Sequence, residues 1–350
     1  MVKNLKVIIV GTGASGSAAA WNLSQNGISV TCFEQGPDLI SKSYSRDRLD
    51  WEILKKKKFN PNPNIRKMRS DYPINDDNSP ISIANFNAVG GSTILYNGHF
   101  PRFHNSDFKT KTIDNVGADW PLSYEELKKF YDKNEKIIGV RGLKGDPVYS
   151  NINGLKPIIP LGKVGLKLAN GFNKLNWHWW PSYSAYKYNN SQNYIRSTAR
   201  NTYLNLALKN KVIIKKNSQV IKIVTGKKNR IKGVFYLDKS GKKKFEAADI
   251  FILAAGGIGT PRLLLASKSK KFPTGLANSS GLVGKNLMLH PLGYAEGIFK
   301  NFVASNRGPE GCCIASHEFY KTNKSRGFSR GYSMQVLRGA GPLEIAEKFK

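Results

Sequence analysis

Cysteine is scarce: three in 350 residues, Cys32 and the adjacent pair Cys312 and Cys313. That number and spacing exclude a disulfide framework and a zinc centre, since both need spaced sets of ligands. The thiols read as buried or incidental, and no metal site is expected. Long apolar runs are missing too. No stretch approaches the ~18 consecutive apolar residues of a membrane-spanning helix. The first apolar run, Val7 to Val10, passes at once into glycines instead of completing a charged-apolar-small leader. A chain that starts near Met1, in the cytoplasm or peripheral on a membrane face, is the expectation. Acidic residues are in short supply, 24 against 55 Lys and Arg, for a formal net charge of +31. Such a charge attracts phosphate-bearing surfaces. Here, however, the lysines are scattered along the whole chain beside abundant Asn and Ile. The densest run, Lys55 to Lys58, lies in an Asn/Pro-rich loop and reads as a solvated face. With no zinc finger or sheet of paired aromatics, no nucleic-acid partner is expected, while peripheral membrane contact stays open.

Apolar residues at 40% and aromatics at 11% describe a globular chain. Its length fits about two domains at roughly 100 to 200 residues each. "KVIIV" at Lys6 to Val10 is the β-branched run of a doubly buried strand. "GTGASG" then turns the chain into a helix of small residues from Ala14 to about Gln25, which Asn26-Gly27 stops. "ISVTCF" is the next strand and ends in Glu34. In this βαβ opening Gly11 permits the tight turn, Gly13 lets backbone approach a pyrophosphate, and Gly16 lets helix pack on strand. The helix N-terminus offers unpaired N–H groups to phosphate, and Glu34 is placed to accept from an adenosine ribose. This fingerprint alone does not separate NAD from FAD.

A second backbone-hugging loop, "AVGGSTILYNGHF" at Ala88 to Phe100, bears on that choice. A long dinucleotide held at the first turn needs another loop at its far end. Gly90 and Gly91 remove side chains from that approach, Ser92 and Thr93 could donate hydroxyls, and Asn97-Gly98 could present amides to a flavin edge. An ordinary Gly-Gly turn and hairpin is the competing reading. Between the loops, residues 38–83 are Lys-, Asn-, Asp- and Pro-rich with weak periodicity, an excursion outside the nucleotide fold. Ser123 with Glu126 forms a capping box before an amphipathic helix. Residues 141–190 look irregular around the aromatic cluster "WHWWPSY". Beyond Arg196, a helix in "STARNTYLNLALKN" precedes strands at Val212–Ile214, Gln219–Val224, Ile231–Leu237, Lys243–Phe245 and within Asp249–Gly257. "TPRLLLAS" then starts a helix with Pro261 near its first turn.

The succession "VGTGASGSAAAWNLSQNG" with Glu34, "GGSTILYNG", "DWPLSYEELKKFYDKNEKIIGV", "NSQVIKIV", "ILAAGGIGTPRLLLAS" and "GLANSSGLVGKNLMLHP" resembles the glucose-methanol-choline family of FAD-dependent oxidoreductases over nearly the whole chain. "GHFPRF" and the Asp-Trp-Pro helix lean toward its gluconate-dehydrogenase-like branch. The resemblance implies an α/β fold, a discontinuous Rossmann-like FAD-binding domain (1–37, 84–118 and 196–290) with a partial α+β substrate domain (119–195 and 291–350). It implies FAD held by Gly11, Gly13, Ser15, Gly16 and Glu34 at the first turn and by Gly90, Gly91, Ser92, Asn97 and Gly98 on the flavin side. Val220 matches the strand whose backbone meets the adenine, and Ala255 and Gly256 match the turn that closes over the dinucleotide. His290 matches a histidine that is architectural in the family, and His178 reads as a pocket or core residue.

The implied reaction oxidises a CH–OH group of a sugar, sugar acid or other polyol, with electrons passed to an external acceptor such as a quinone or cytochrome. That chemistry needs a base, which the family supplies as a His beside a second His or an Asn near its C-terminus. Because no histidine here falls in such a segment and family chains usually run longer, the expectation is a truncated chain whose catalytic pair lies beyond residue 350. Two other classes compete: a non-catalytic flavin or anionic-surface binder, and a two-nucleotide-fold flavin reductase. The latter would need a second fingerprint and usually a redox Cys pair, and neither is present.

Overall fold

The computed structural model describes residues 5–44, 50–71, 74–149, 152–188, 194–339 and 341–348. The expectations attached to Met1 and Lys350 themselves lie outside the described residues. The chain divides into two compact units, one of Met1–Leu95 and Thr198–Glu296, the other of Tyr96–Ser197 and Gly297–Lys350. Residues 96–118, grouped above with the nucleotide-binding segments, thus cluster with the second unit.

The first unit is built on a four-stranded parallel sheet in the order Ile250–Leu253, Lys6–Val10, Ser29–Phe33, Ile213–Lys215. Val7, Ile8 and Ile9 are fully buried, as a continuous β-branched run in a central parallel strand demands. The helix Ala14–Gln25 follows the first strand and ends at Asn26, with Gly27 at φ 72°. Gly27 tolerates that left-handed turn because it lacks a Cβ. A three-stranded antiparallel sheet (Gln219–Thr225, Ile231–Leu237, Lys243–Glu246) shares its core with the parallel one, through Ile8, Val10, Phe33, Val220, Val234 and Tyr236. The helix expected to start near Pro261 begins earlier, at Gly256, so Pro261 sits in its second turn. There its missing N–H costs a bond to the Gly257 carbonyl, which the sequence reading had not assigned.

Residues 38–83 are more than a polar excursion. Tyr44, Trp51 and Phe59 pack with Phe86, Ala88 and Ile94 into a separate core beneath the second glycine loop. Arg66 clamps this segment: its guanidinium binds both Asp71 oxygens (3.0 and 2.6 Å) and the carbonyls of Asn60 and Asn85, and lies 4.6 Å over the Phe86 ring. Lys55 to Lys58 are exposed, as expected of a solvated face.

The second unit carries two small three-stranded sheets. One joins Trp180–Pro181, Cys312–Ser316 and Met334–Leu337; the other joins Val140–Arg141, Ser184–Tyr188 and Tyr194–Arg196. Its Tyr124–Ile138 helix has the anticipated capping box, with the Ser123 N–H donating to Glu126 Oε2 at 2.7 Å and the Glu126 N–H to Ser123 Oγ at 3.4 Å. A 13-residue helix, Gly162–Lys174, occupies a stretch that looked irregular. Glycine there serves packing: a Cβ at Gly165 would come within 2.7 Å of Leu161 Cβ and 3.5 Å of Cys313 Sγ. Cys32, Cys312 and Cys313 are all buried free thiols, and burial pushes Cys32 and Cys312 up to about 12.

Candidate functional site

Parallel pairing sets the turn after Val10 beside the turn after Leu253, at the carboxyl edge of the sheet, where ligands of open α/β folds collect. Gly11, at φ 102°, donates its N–H to the Phe33 carbonyl (2.8 Å), and a Cβ there would lie 2.4 Å from the Ala254 carbonyl oxygen. A Cβ at Gly16 would lie 2.1 Å from the Gly11 oxygen, so this glycine is what lets the helix sit on the turn. The first helical turn carries no acidic residue, and Ala14 and Ser15 are exposed while Gly16 and Ser17 are buried. The opening N–H groups of that helix, which have no intrahelical acceptor, therefore face an open and electropositive edge. Gly256, at φ 76°, and Gly257 are exposed at the neighbouring turn, with no heavy atom within 4 Å of a Cβ at either.

The second loop meets the first backbone to backbone. Gly90 (φ 103°) and Gly91 (φ 58°) both take left-handed conformations, and a Cβ on Gly91 would lie 2.8 Å from Gly13 Cα. Thr93 does not offer its hydroxyl outward as the sequence suggested. It donates to the Gly90 carbonyl (2.6 Å) and accepts from the Ala199 N–H (2.9 Å), which pins the loop. Ser92 Oγ accepts from the Phe86 N–H at 3.0 Å, which leaves its own proton for donation. We expect Gly91→Val to destabilise the first unit by about 1–3 kcal/mol even without ligand, through overpacking and a β-branched residue at positive φ. Denaturant unfolding of the flavin-free chain measures this, and an unchanged midpoint would mean the loops do not touch.

Glu34 closes the second strand and is almost completely buried. Its Oε2 accepts from the Thr12 hydroxyl (2.7 Å) and the Thr12 N–H (3.2 Å), and its Oε1 from the Gly36 N–H (3.0 Å). Burial raises the carboxyl above the usual range, while these donors pull it back down. Thr12 was missed by the sequence reading. Its hydroxyl also accepts from the Gly90 N–H (3.2 Å) and so joins both glycine loops to the acid. The only available signal was a hydroxyl between two fingerprint glycines.

Val220 sends its side chain into the core, next to an irregularity in pairing between Val220 and Lys222. Asn97 and Gly98 belong to the second unit. Asn97 is exposed, and Gly98 (φ 68°) is needed where a Cβ would strike the Tyr186 ring at 2.6 Å. His290 is exposed in a stretch without regular structure, so the architectural role implied for it has no packing behind it here. The other histidines share the second unit. His178 Nε2 lies 3.1 Å from Asp146 Oδ1 and its Nδ1 accepts from the His317 N–H, which fits the core role expected of it. His99 Nδ1 lies 2.9 Å from Ser182 Oγ. His317, not considered from sequence, lies with its ring centroid 4.6 Å from that of His104, tilted against it, beside Tyr149 and Tyr320. Among the described residues no three His, Cys, Asp or Glu side chains converge as a metal site would require.

A parallel sheet with a glycine-lined first turn, a helix N-terminus and a buried acid closing the second strand defines a dinucleotide-binding α/β fold. The exposed helix N-terminus, free of acidic residues, and the side-chain-free edge around Gly256 fit a pyrophosphate. The chain belongs to the GMC oxidoreductase family, whose profile matches residues 5–292, and its cofactor is FAD. It is 36% identical over 362 residues to 2-methyl-1,2-propanediol dehydrogenase of Mycolicibacterium austroafricanum, covering 97% of this chain and 65% of that protein. It is 28% identical to the fructose dehydrogenase large subunit of Gluconobacter japonicus (81% and 58% covered). It is also 24% identical to the gluconate 2-dehydrogenase flavoprotein of Pantoea cypripedii (93% and 63%). The chain thus spans less than two thirds of these relatives. Among solved structures, pyridoxine 4-oxidase from Mesorbium loti superposes with a TM-score of 0.52 at 18% identity, covering 75% of this chain and 52% of that one. Formate oxidase does so with 0.51 at 18% identity (75% and 47%). At such identities the likeness concerns the fold. No helix of the described residues is long and apolar enough to cross a membrane.

Proposed function

We propose that the protein oxidises a CH–OH group of a sugar, sugar acid or other small polyol, and that its first unit holds FAD through the two glycine loops. The observation that carries this reading is the backbone contact of Gly91 with Gly13. It sets a second side-chain-free loop against the first pyrophosphate turn, where a single mononucleotide would need only one. The relatives named for 2-methyl-1,2-propanediol, fructose and gluconate supply the substrate class, since all three compounds carry alcohol groups.

In this reading Gly13, Ser15 and Gly16 present N–H groups to the pyrophosphate, while Gly11, whose N–H goes to the Phe33 carbonyl, shapes the turn beneath it. Glu34, oriented by the Thr12, Gln35 and Gly36 donors, is the acceptor for a ribose hydroxyl. Gly90, Gly91 and Ser92 serve the far phosphate, Asn97 and Gly98 the flavin edge, the Val220 backbone the adenine, and Ala255 with Gly256 closes over the dinucleotide. When bound, FAD takes the substrate hydride at its N5 and passes the electrons to an external acceptor. The hydroxyl proton needs a base, and we assign that role to none of the five histidines. His104 and His317 lie among aromatic rings where burial weakens them as bases, the ring nitrogens of His178 and the Nδ1 of His99 already have partners, and His290 is exposed in irregular chain. The family's His with a neighbouring His or Asn is proposed instead, in the part of the relatives this chain does not span.

The test incubates the chain with FAD, desalts it, and identifies the flavin released on denaturation. It then assays dye reduction with 2-methyl-1,2-propanediol, fructose and gluconate. We expect retained FAD and no dye reduction by the 350 residues alone, with turnover of at least one alcohol once a family-type C-terminal segment is appended. Tight NADH binding without flavin uptake would sink the cofactor assignment. Turnover by the 350-residue chain itself would return the base to its own histidines.

A further inference from the structure

We infer that Thr12 is a positioning residue for the dinucleotide: its buried hydroxyl latches the second glycine loop to Glu34 and so sets the two loops and the ribose acceptor in register. The inference rests on the FAD reading of this site and adds to it a residue that the fingerprint leaves unspecified. Thr12 is completely buried. A hydroxyl has one proton and two lone pairs. Here the proton goes to Glu34 Oε2 at 2.7 Å, and one lone pair receives the Gly90 N–H at 3.2 Å, across 78 residues of chain. Because Gly90 and Gly91 are left-handed and Gly91 abuts Gly13, the loop has little slack to find another acceptor.

The latch also governs the charge of Glu34. Burial favours the neutral acid, whereas the Thr12 hydroxyl and the Thr12 and Gly36 N–H groups favour the carboxylate, and a ribose hydroxyl is best accepted by the latter. The ionisable groups on the flanking elements do not substitute for Thr12. Cys32, pushed up to about 12 by burial, stays neutral. Lys215 directs its ammonium to Glu246, and Asp38 is paired with Arg200.

Thr12→Val keeps shape and removes the hydroxyl, while Thr12→Ser keeps the hydroxyl and removes the methyl. Two readouts follow. In the flavin-free chain, amide exchange of the 88–94 segment should quicken at least roughly tenfold in Thr12→Val and stay near wild type in Thr12→Ser, as loss of a buried hydrogen bond entails. In an FAD titration between about pH 5 and 8, Thr12→Val should bind roughly tenfold or more weaker and tighten as pH rises, because Glu34 must first lose its proton. Thr12→Ser should follow the wild-type level and profile, whereas Thr12→Val should need a higher pH than either to reach its tightest binding. A residue that merely fills space would lower stability in both variants without moving that pH profile.

A wild-type-like exchange rate and FAD profile in Thr12→Val overturns the inference, and so does equal loss in both variants, which would make the methyl the important group. The exchange experiment contains no flavin. If the wild type takes up no FAD while Thr12→Val still loosens the loop, the cofactor reading fails and the latch stands.

Discussion

Replacing Arg102 with leucine should cost the second unit about 3–5 kcal/mol, the range for removing one partner of a buried ion pair. Arg102 and Glu135 are both almost completely buried. The guanidinium meets the Glu135 carboxylate in a fork, Nε to Oε1 at 2.6 Å and Nη2 to Oε2 at 2.5 Å. It adds Asp132 Oδ1 at 2.5 Å and the Tyr124 hydroxyl at 3.1 Å, and lies 5.3 Å over the Tyr131 ring. Four side chains of one helix, Tyr124–Ile138, are thereby tied to the segment that follows the second glycine loop. Leucine would leave the Glu135 carboxylate in the interior with no cation. The double variant Arg102→Leu with Glu135→Leu should recover most of the loss, because two apolar side chains avoid the desolvation of either charge. Chemical denaturation of the three proteins decides it. A single-variant loss below about 1 kcal/mol, the range of exposed pairs, would show that the fork does not behave as a buried ion pair.

The second large effect is acid sensitivity. His317 packs against His104, Tyr149 and Tyr320, with ring centroids 4.6, 5.7 and 5.4 Å away. Burial first, and then the neighbouring histidines, lower its pKa from 6.5 to about 4. His104 is lowered as well, again by burial, with Asp107 and Asp146 opposing and Arg330 and Lys321 assisting. A group whose folded pKa lies below its unfolded one contributes fully above the unfolded value and loses that contribution as pH falls toward the folded one. For His317 the window runs from 6.5 down to about 4 and is worth about 3 kcal/mol, of which about 2 is lost by pH ~5. Asp114, Asp119, Glu126 and Asp238 are held below their usual values, so their contributions fade only at lower pH, beneath most of that window. His317→Phe, which preserves the ring contacts, should flatten the stability profile between about pH 5 and 7. Equal slopes in variant and wild type would place the acid lability elsewhere.

Patterns that depend only on near neighbours were legible in the chain. Lys6–Val10, Ala14–Gln25 and the capping box at Ser123 show themselves within a few residues, through β-branching, small side chains and a hydroxyl three positions ahead of an acid. What escaped depends on partners far along the chain. Gly162–Lys174 holds three glycines, which argue against a helix until the strand Cys312–Ser316 is known to lie on Gly165. The aromatic core under the second loop was hidden because Tyr44, Trp51 and Phe59 are diluted among lysines and asparagines without a period. Thr12 offers only a hydroxyl between two glycines and His317 no local signal; their meaning lies in Gly90 and His104. The glycine clusters of the site were conspicuous, but the packing of Gly98 against the Tyr186 ring was not.

The parallel sheet has a further consequence for biosynthesis. Its second strand follows the first within the opening 33 residues, but the strand that covers the other edge of Lys6–Val10 is Ile250–Leu253. At elongation rates of about 5–20 residues per second, some 220 residues of translation leave that edge uncovered for roughly 10 to 45 seconds. During this interval the nascent chain displays an apolar, unpaired strand of the kind that templates association with other chains. Yield in a heterologous host should accordingly respond to translation speed and to chaperones that shield nascent segments, more than to any contact in the finished molecule.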